Sequence, residues 1–265
     1  MAKLSEGFRQ RLSASGPVLN SSPMTNPSSV SVVMPAFQLG KVIAGNIERV
    51  ASVLSALPGA VEIVVVDDGS TDQTLSEALA ATSEMPGASV LSHPANRGKG
   101  QALFTGARAA KGDLIVFLDA DLDLPPEQLP DLLAGMGDAD VLVGAKRDSM
   151  AAGRYPLIRR VLSRLFSFAT VGVFGLTVTE TQTGLKIFRR EVLEKVIPQM
   201  RIDGYAYDLE MLVRAQRAGF KLAQTPVELG PGASTASLRG GMLWQMARDT
   251  ARLQWWVWTG RVPRR

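Results

Sequence analysis

Three aspartates at alternate positions, Asp119, Asp121 and Asp123, follow directly on the apolar run from Leu114 to Leu118 and stand just before Pro125-Pro126. Carboxylates this close together repel one another unless a cation sits among them. An all-oxygen ligand set suits Mg²⁺ or Mn²⁺, and Mg²⁺ takes one or two carboxylates while water and phosphate oxygens complete its shell. A second acidic turn, D67-D-G-S-T-D72, ends another apolar run. Asp68 there could accept a charge-assisted hydrogen bond from a nucleobase N–H, and Ser70 or Thr71 is expected to cap the helix that follows. The segment N96-R-G-K-G100 opens a helix, and backbone N–H groups at such a start, with Arg97 and Lys99 beside them, suit a diphosphate. It lacks the third small residue of a dinucleotide fingerprint, and G-x-x-x-x-G-K-[S/T] occurs nowhere in the chain.

These groups need elements that bring them to one edge. The runs near Val30–Met34, Val61–Val66, Ser89–Ser92, Leu114–Leu118 and 140–145 read as strands. Helical patterns at 41–57, 73–83, to about Ala110 and at 126–135 lie between them. Strands alternating with helices on short links make an α/β domain with a mostly parallel sheet covered on both faces, and such sheets hold ligands beyond their C-terminal strand ends. Further on, a strand at Gly184–Phe188, a helix at 190–198 and a helix at Asp208–Ala218 are expected. Residues 1–28, rich in Ser, Pro and Asn, read as a disordered tail with no apolar core of a secretory signal. The domain is expected over 29–235, followed by a basic amphipathic helix within 236–265.

With no cysteine, disulfides and thiolate metal sites are excluded, and a single histidine, His93, argues against a histidine zinc site or a Ser-His-Asp triad. His93, ahead of Pro94, reads as the end of a strand. Residues 146–164 carry six Lys or Arg against Asp148 alone, and residues 239–265 carry six Arg against Asp249 alone. Both segments are also apolar, which favours a lipid surface over nucleic acid. The charge-free stretch Leu165–Thr179 is too short to cross a bilayer; a buried core helix is one reading, and the adjoining arginines with Phe166, Phe168 and Phe174 favour the other, a segment lying in a membrane interface. From Leu243 to Trp258, the residues Trp244, Ala247, Ala251, Trp255 and Trp258 share one helical face, with Arg248 and Arg252 on another.

In this order V32-V-M-P-A-F37, V64-V-V-D-D-G-S-T-D72, N96-R-G-K-G100, F117-L-D-A-D121 and T181-Q-T-G-L-K186 resemble the family 2 inverting glycosyltransferases of the GT-A fold, and among them the polyprenyl-phosphate (dolichyl-phosphate) glucosyl- and mannosyltransferases. The resemblance covers about residues 30–230. It implies that Pro35, Ala36 and Asp68 line the nucleotide pocket, with Lys99 near the base or diphosphate and Ala120 beside them. Asp119 and Asp121 would hold a divalent metal, with Asp123 as a further ligand. Lys146 matches a position commonly held by Arg, and Arg159 with Ser163 matches a pair facing the acceptor phosphate. Gln182, Thr183, Gly184 and Lys186 match the Q-x-G-x-K signature on the substrate side, where Asp208 is expected as well. Two departures touch specificity: P35-A-F-Q-L39 lacks the acid of P-A-Y-N-E, and Glu180 replaces a more usual Asp.

The resemblance therefore implies a metal-dependent hexosyltransferase that moves glucose or mannose from a UDP- or GDP-hexose to a polyprenyl phosphate, peripheral to the inner face of the plasma membrane. Such a phosphate is mostly dianionic at neutral pH (second pKa ~6) and attacks without a protein base. Two alternatives stand beside it. A saccharide hydroxyl acceptor would require a general base, for which Asp208 and Glu210 are the candidates, unless both simply complement a helix dipole. The other is a sugar-nucleotide-binding protein without turnover.

Overall fold

The β-branched runs of the first half of the chain become neighbouring strands, and the helices between them carry each connection across the sheet. The computed structural model describes residues 29–146, 172–204, 206–230 and 240–262. Strands β1 (Ser29–Ala36), β2 (Ala60–Asp67), β3 (Ala88–Ser92), β4 (Leu114–Leu118) and β5 (Val141–Lys146) alternate with helices α1 (Ile43–Leu54), α2 (Thr74–Thr82), α3 (Lys99–Ala109) and α4 (Leu129–Ala134). A single 3-10 turn, Pro126–Gln128, leads into α4. Then come β6 (Leu185–Arg189), α5 (Arg190–Val196), α6 (Tyr207–Arg217), β7 (Leu222–Val227) and α7 (Gly240–Trp258).

The sheet has seven strands in the order β3-β2-β1-β4-β6-β5-β7. Only β6 runs against its neighbours, pairing antiparallel with both β4 and β5. Period-two alternation divides the core between the sheet's two faces. Val33, Val64, Val66, Ile115 and Phe117 pack with α3, α6 and α7 on one face. Val32, Met34, Ile63, Val65 and Val116 pack with α1 and α4 on the other.

This topology does two things for the site. The chain leaves β1 for β2 on one side and returns to β4 on the other, so the sheet's direction of growth reverses between β1 and β4. The C-terminal ends of β1, β2 and β4 there form the crevice where open α/β sheets bind ligands. The reversed β6 then starts where β4 ends: Leu118 pairs with Leu185, and the Asp119 N–H donates to the Gly184 carbonyl over 3.1 Å.

Strand β7 was not expected from the sequence. Its half-exposed pattern and internal Pro226 weaken the strand signal, and its edge position is what tolerates a proline. The interfacial reading of Phe174 is corrected: Phe174, Leu176 and Val178 are buried in the core cluster that also takes in residues of α6 and α7. Phe166 and Phe168 lie outside the described residues, as does the expected tail over 1–28. The cap is corrected too: α2 has Gln73 at its N-cap with no side-chain bond, and the Ser70 hydroxyl instead accepts the Gln38 N–H over 3.0 Å.

Candidate active site

The crevice is built by turns that bind one another. After β1, the Leu39 N–H donates to the Thr74 hydroxyl over 2.7 Å and the Gly40 N–H to Asp72 over 2.9 Å. The Gln38 amide donates to the Thr71 hydroxyl over 2.8 Å. Pro35 and Ala36 end β1, and the Ala36 carbonyl accepts the Asp68 N–H over 2.8 Å. The P-A-F and D-D-G-S-T-D segments are thus one stitched surface.

Asp68, expected at a nucleobase, is buried, and its oxygens serve its own chain. Oδ1 accepts the Arg97 N–H over 3.0 Å and Oδ2 accepts the Gly98 N–H over 2.8 Å. His93 Nδ1 lies 2.7 Å from Oδ1, and its Nε2 lies 2.9 Å from the Thr105 hydroxyl. The carboxylate can only accept, so Nδ1 carries the proton toward it, while the Thr105 hydroxyl can donate to Nε2 or accept from it. Sequence reasoning saw in His93 only a strand end. The missed signal was a lone histidine flanked by apolar and turn residues, whose ring has to find partners once buried. Gly98, at φ +91°, turns the chain into α3, a backbone conformation glycine reaches without strain.

That turn delivers Lys99 to the tip of β4. Its ammonium lies 2.6 Å from Asp119 Oδ1 and 2.7 Å from Oδ2. Burial works to lower the Lys99 pKa, but the Asp119, Asp208 and Asp121 carboxylates outweigh it and raise the group above its ordinary value. The chain then turns tightly: the Leu122 N–H donates to the Asp119 carbonyl over 3.1 Å, and Leu122 sits at φ +53°. Ala120 is buried, with its carbonyl accepting the Asn46 amide over 2.8 Å, so Asp119 and Asp121 are held at fixed positions. Desolvation, followed by repulsion from Asp119 and from Asp123, raises the Asp121 pKa, and Lys99 offsets only part of this.

Beneath Asp119 lies the Q-T-G-x-K segment. A Cβ on Gly184 would collide with the Asp119 carboxylate, so glycine lets this backbone lie against that group without displacing it. The Thr183 hydroxyl is buried without a hydrogen-bond partner, a polar atom the protein leaves unsatisfied. Lys186, 2 % exposed, is bound to Asp208 over 2.6 Å and to the Thr183 carbonyl over 2.7 Å. Gln182 is exposed, its amide 3.8 Å from the Met246 sulfur. Burial first, then the Asp208 and Asp119 carboxylates, push the Tyr207 phenol well above its ordinary value.

Neither candidate base is available. Asp208 is buried against Lys186, and Glu210 is fully buried, accepting the Arg201 and Ile202 N–H groups and the Arg214 guanidinium. Lys146 ends β5, which runs parallel to β4 across β6, so it reaches the same sheet edge roughly 10 Å away, two strand spacings. Arg159 and Ser163 lie outside the described residues.

Among the described residues, no three carboxylate or imidazole groups converge into a cage for a metal. The residues present still fit a divalent cation of the Mg²⁺ or Mn²⁺ type. Oxygen donors Asp119 and Asp121 carry negative charge that Lys99 leaves partly uncompensated, which suits an ion completing its shell on phosphate oxygens.

A family model described as glycosyl transferase family 2 matches residues 31–197. A dolichyl-phosphate beta-glucosyltransferase of Trichomonas vaginalis is 28% identical over 243 residues, 86% of this chain and 74% of its own length. An undecaprenyl-phosphate 4-deoxy-4-formamido-L-arabinose transferase of Pseudomonas paraeruginosa is 34% identical over 63% of this chain, a match spanning 49% of that longer protein. Among solved structures, the glucosyl-3-phosphoglycerate synthase of Mycobacterium tuberculosis with Mn²⁺, UDP and phosphoglyceric acid superposes with a TM-score of 0.62 at 24% identity. That alignment covers 90% of this chain and 80% of the other.

Proposed function

The chain belongs to glycosyl transferase family 2, and from that premise we propose that it transfers a hexose, glucose or mannose, from a UDP- or GDP-hexose to a polyprenyl (dolichyl) phosphate, with inversion at the anomeric carbon. The observation that carries this reading is the engagement of both candidate bases: Asp208 is tied to Lys186 and Glu210 to Arg214 and two backbone N–H groups. A saccharide hydroxyl needs a group to take its proton. A phosphate acceptor arrives as an anion and needs none. The relatives named for dolichyl and undecaprenyl phosphate point to the same acceptor class.

In this reading the stitched turns after β1 and β2 hold the nucleotide, with Pro35 and Ala36 as its floor. Asp68 acts one step removed, by gripping the Arg97 and Gly98 N–H groups so that Lys99 is presented to the diphosphate. Asp119 and Asp121, with Asp123 next in line, would hold the Mg²⁺ or Mn²⁺, which when bound supplies charge stabilisation to the departing diphosphate. Gln182, Thr183 and Gly184 face the transferred sugar, and the buried Lys186–Asp208 pair keeps that loop at the tip of β4. Lys146, with Arg159 and Ser163, aligns the acceptor phosphate by charge and hydrogen bonding. An acceptor embedded in lipid requires the enzyme to work at a membrane surface, and we place it peripherally on the cytoplasmic face of the plasma membrane.

The test is a panel of UDP- and GDP-hexoses with Mg²⁺ or Mn²⁺, each with and without a polyprenyl phosphate. Sugar should move to the lipid phosphate and the nucleoside diphosphate should appear in equal amount. Transfer only to saccharide hydroxyls, or tight sugar-nucleotide binding with no turnover, would overturn the proposal.

A further inference from the structure

Helix α7 presents two unlike faces. Met246, Leu253 and Trp256 turn inward and are buried, and so is Asp249, the only acidic residue of the helix, at 3 % exposure. Outward the helix shows Trp258, 82 % exposed, and Trp255, 47 % exposed. Between and beside them, the Arg248 and Arg252 side chains are 55% and 54% exposed. A shallow groove there is lined by Ala247, Arg248, Ala251, Arg252 and Trp255. Arg261 stacks over the Trp255 ring at 4.4 Å.

A face built to meet only water would hide its tryptophans and expose its acid. This one does the reverse, and every exposed charge on it is positive. Indole rings favour the boundary between headgroups and acyl chains, and arginines beside them are drawn to anionic lipid. No helix of the described residues is long and apolar enough to cross a membrane, so α7, about 28 Å long at the usual rise, would lie along the surface.

The inward face reaches the site. The Met246 sulfur is 3.8 Å from the Gln182 amide. A Cβ on Gly204 would stand 2.5 Å from the Gln245 amide and 2.8 Å from Asp249, so α7 lies directly on the segment before α6. The neighbouring Asp203 accepts from Gln101 in the first turns of α3.

We propose that the outward face of α7 docks on an anionic phospholipid surface and that its inward face thereby sets the Q-T-G-x-K side of the site toward the bilayer, where a lipid-borne phosphate enters. The docking stands on the helix itself; the role in acceptor entry rests on the function proposed above.

Two measurements test it. In flotation of the full chain with phosphatidylglycerol-containing or pure phosphatidylcholine vesicles, wild type should favour the anionic vesicles. Arg248→Gln with Arg252→Gln should weaken that partition about 30-fold, on the basis of ~1 kcal/mol per basic residue near the surface. Trp255→Ser with Trp258→Ser should weaken it roughly tenfold or more, and Leu79→Ser, exposed on α2, should change nothing. Binding by the arginine variant equal to wild type, or a wild-type dimer that the tryptophan variant dissolves, overturns the proposal in favour of no docking or of a second copy. In parallel, transfer to polyprenyl phosphate should drop for the arginine variant with vesicle-embedded acceptor and stay at wild-type level with detergent-dispersed acceptor. If no variant, wild type included, acts on either acceptor, the function reading fails while flotation still decides the docking.

Discussion

Two acidic pairs in this chain have the same spacing and opposite fates. Asp119 and Asp121 leave the tip of a strand, whereas Asp208 and Glu210 open a helix. On α6, residues two apart point in different directions, so Asp208 meets Lys186 while Glu210 meets Arg214 and the N–H groups of 201 and 202. Beyond β4 desolvation first, then the nearness of Asp119 and Asp123, raises the Asp121 pKa, with Lys99 as a partial counterweight. A carboxylate whose bonds are all supplied by the protein is architecture. One whose charge the protein leaves partly unanswered, as at Asp121, is where we propose that a cation binds.

The comparison can be broken most directly at Asp121. Asp121→Asn should lower transfer by about 10³-fold or more while thermal stability stays level or rises, because the variant removes a desolvated and repelled charge and its amide oxygen can still accept the Asp123 N–H. The pH dependence has a definite sign. A carboxylate with a raised folded-state pKa binds its proton more tightly when folded, so its ionisation costs stability as pH rises through that pKa. The melting temperature of Asp121→Asn should therefore gain on wild type from acid toward neutral pH; a gap that closes instead would remove the account from burial and repulsion.

Glu210→Ala should do the opposite. It strands a buried guanidinium and two N–H groups and should cost about 3–5 kcal/mol in denaturant unfolding, with kcat of the folded fraction near wild type. A large kcat loss without destabilisation would return Glu210 to the list of candidate bases. Gly184→Ala tests the contact between the two regions, since its methyl would collide with Asp119. Transfer should fall roughly tenfold or more for a shift of about an ångström in the carboxylate, read as kcat against an unchanged circular dichroism spectrum. The smallest effect is expected at His93. His93→Ala leaves Asp68 short of one buried partner, about 1–3 kcal/mol, and should raise KM for the sugar nucleotide more than it lowers kcat, because it loosens the turn that carries Lys99.

Much of this was open to reading in the chain. The runs before Asp67 and Asp119 are apolar without interruption because both faces of a parallel sheet are covered, and that announces strands and their order with helices. Edge strand β7 was hidden because a half-exposed strand containing Pro226 carries no such signature. Phe174 read as interfacial because a short charge-free stretch looks alike whether its cover is lipid or the protein's own helices. For α7 the aromatic and basic stripes were legible, but not that Trp256 would be buried while its neighbour Trp255 stays exposed.

The sequence alone determined the α/β succession and the acidic strand tip, because these rest on local periodicity and on short spacings, and the resemblance of its motifs in order pointed to the family. Only the tertiary structure decided that β6 runs backwards to lay Gly184 on Asp119, that Asp68 and His93 serve the turn before α3, and that Asp208 and Glu210 are already spent on Lys186 and Arg214. Most of those outcomes depend on partners far along the chain, 22 residues for Lys186 with Asp208, 30 for Gly98 with Asp68 and 65 for Gly184 with Asp119, while the Glu210–Arg214 pair is set by which way a helix start faces. No local pattern encodes which distant group will arrive to satisfy a buried charge.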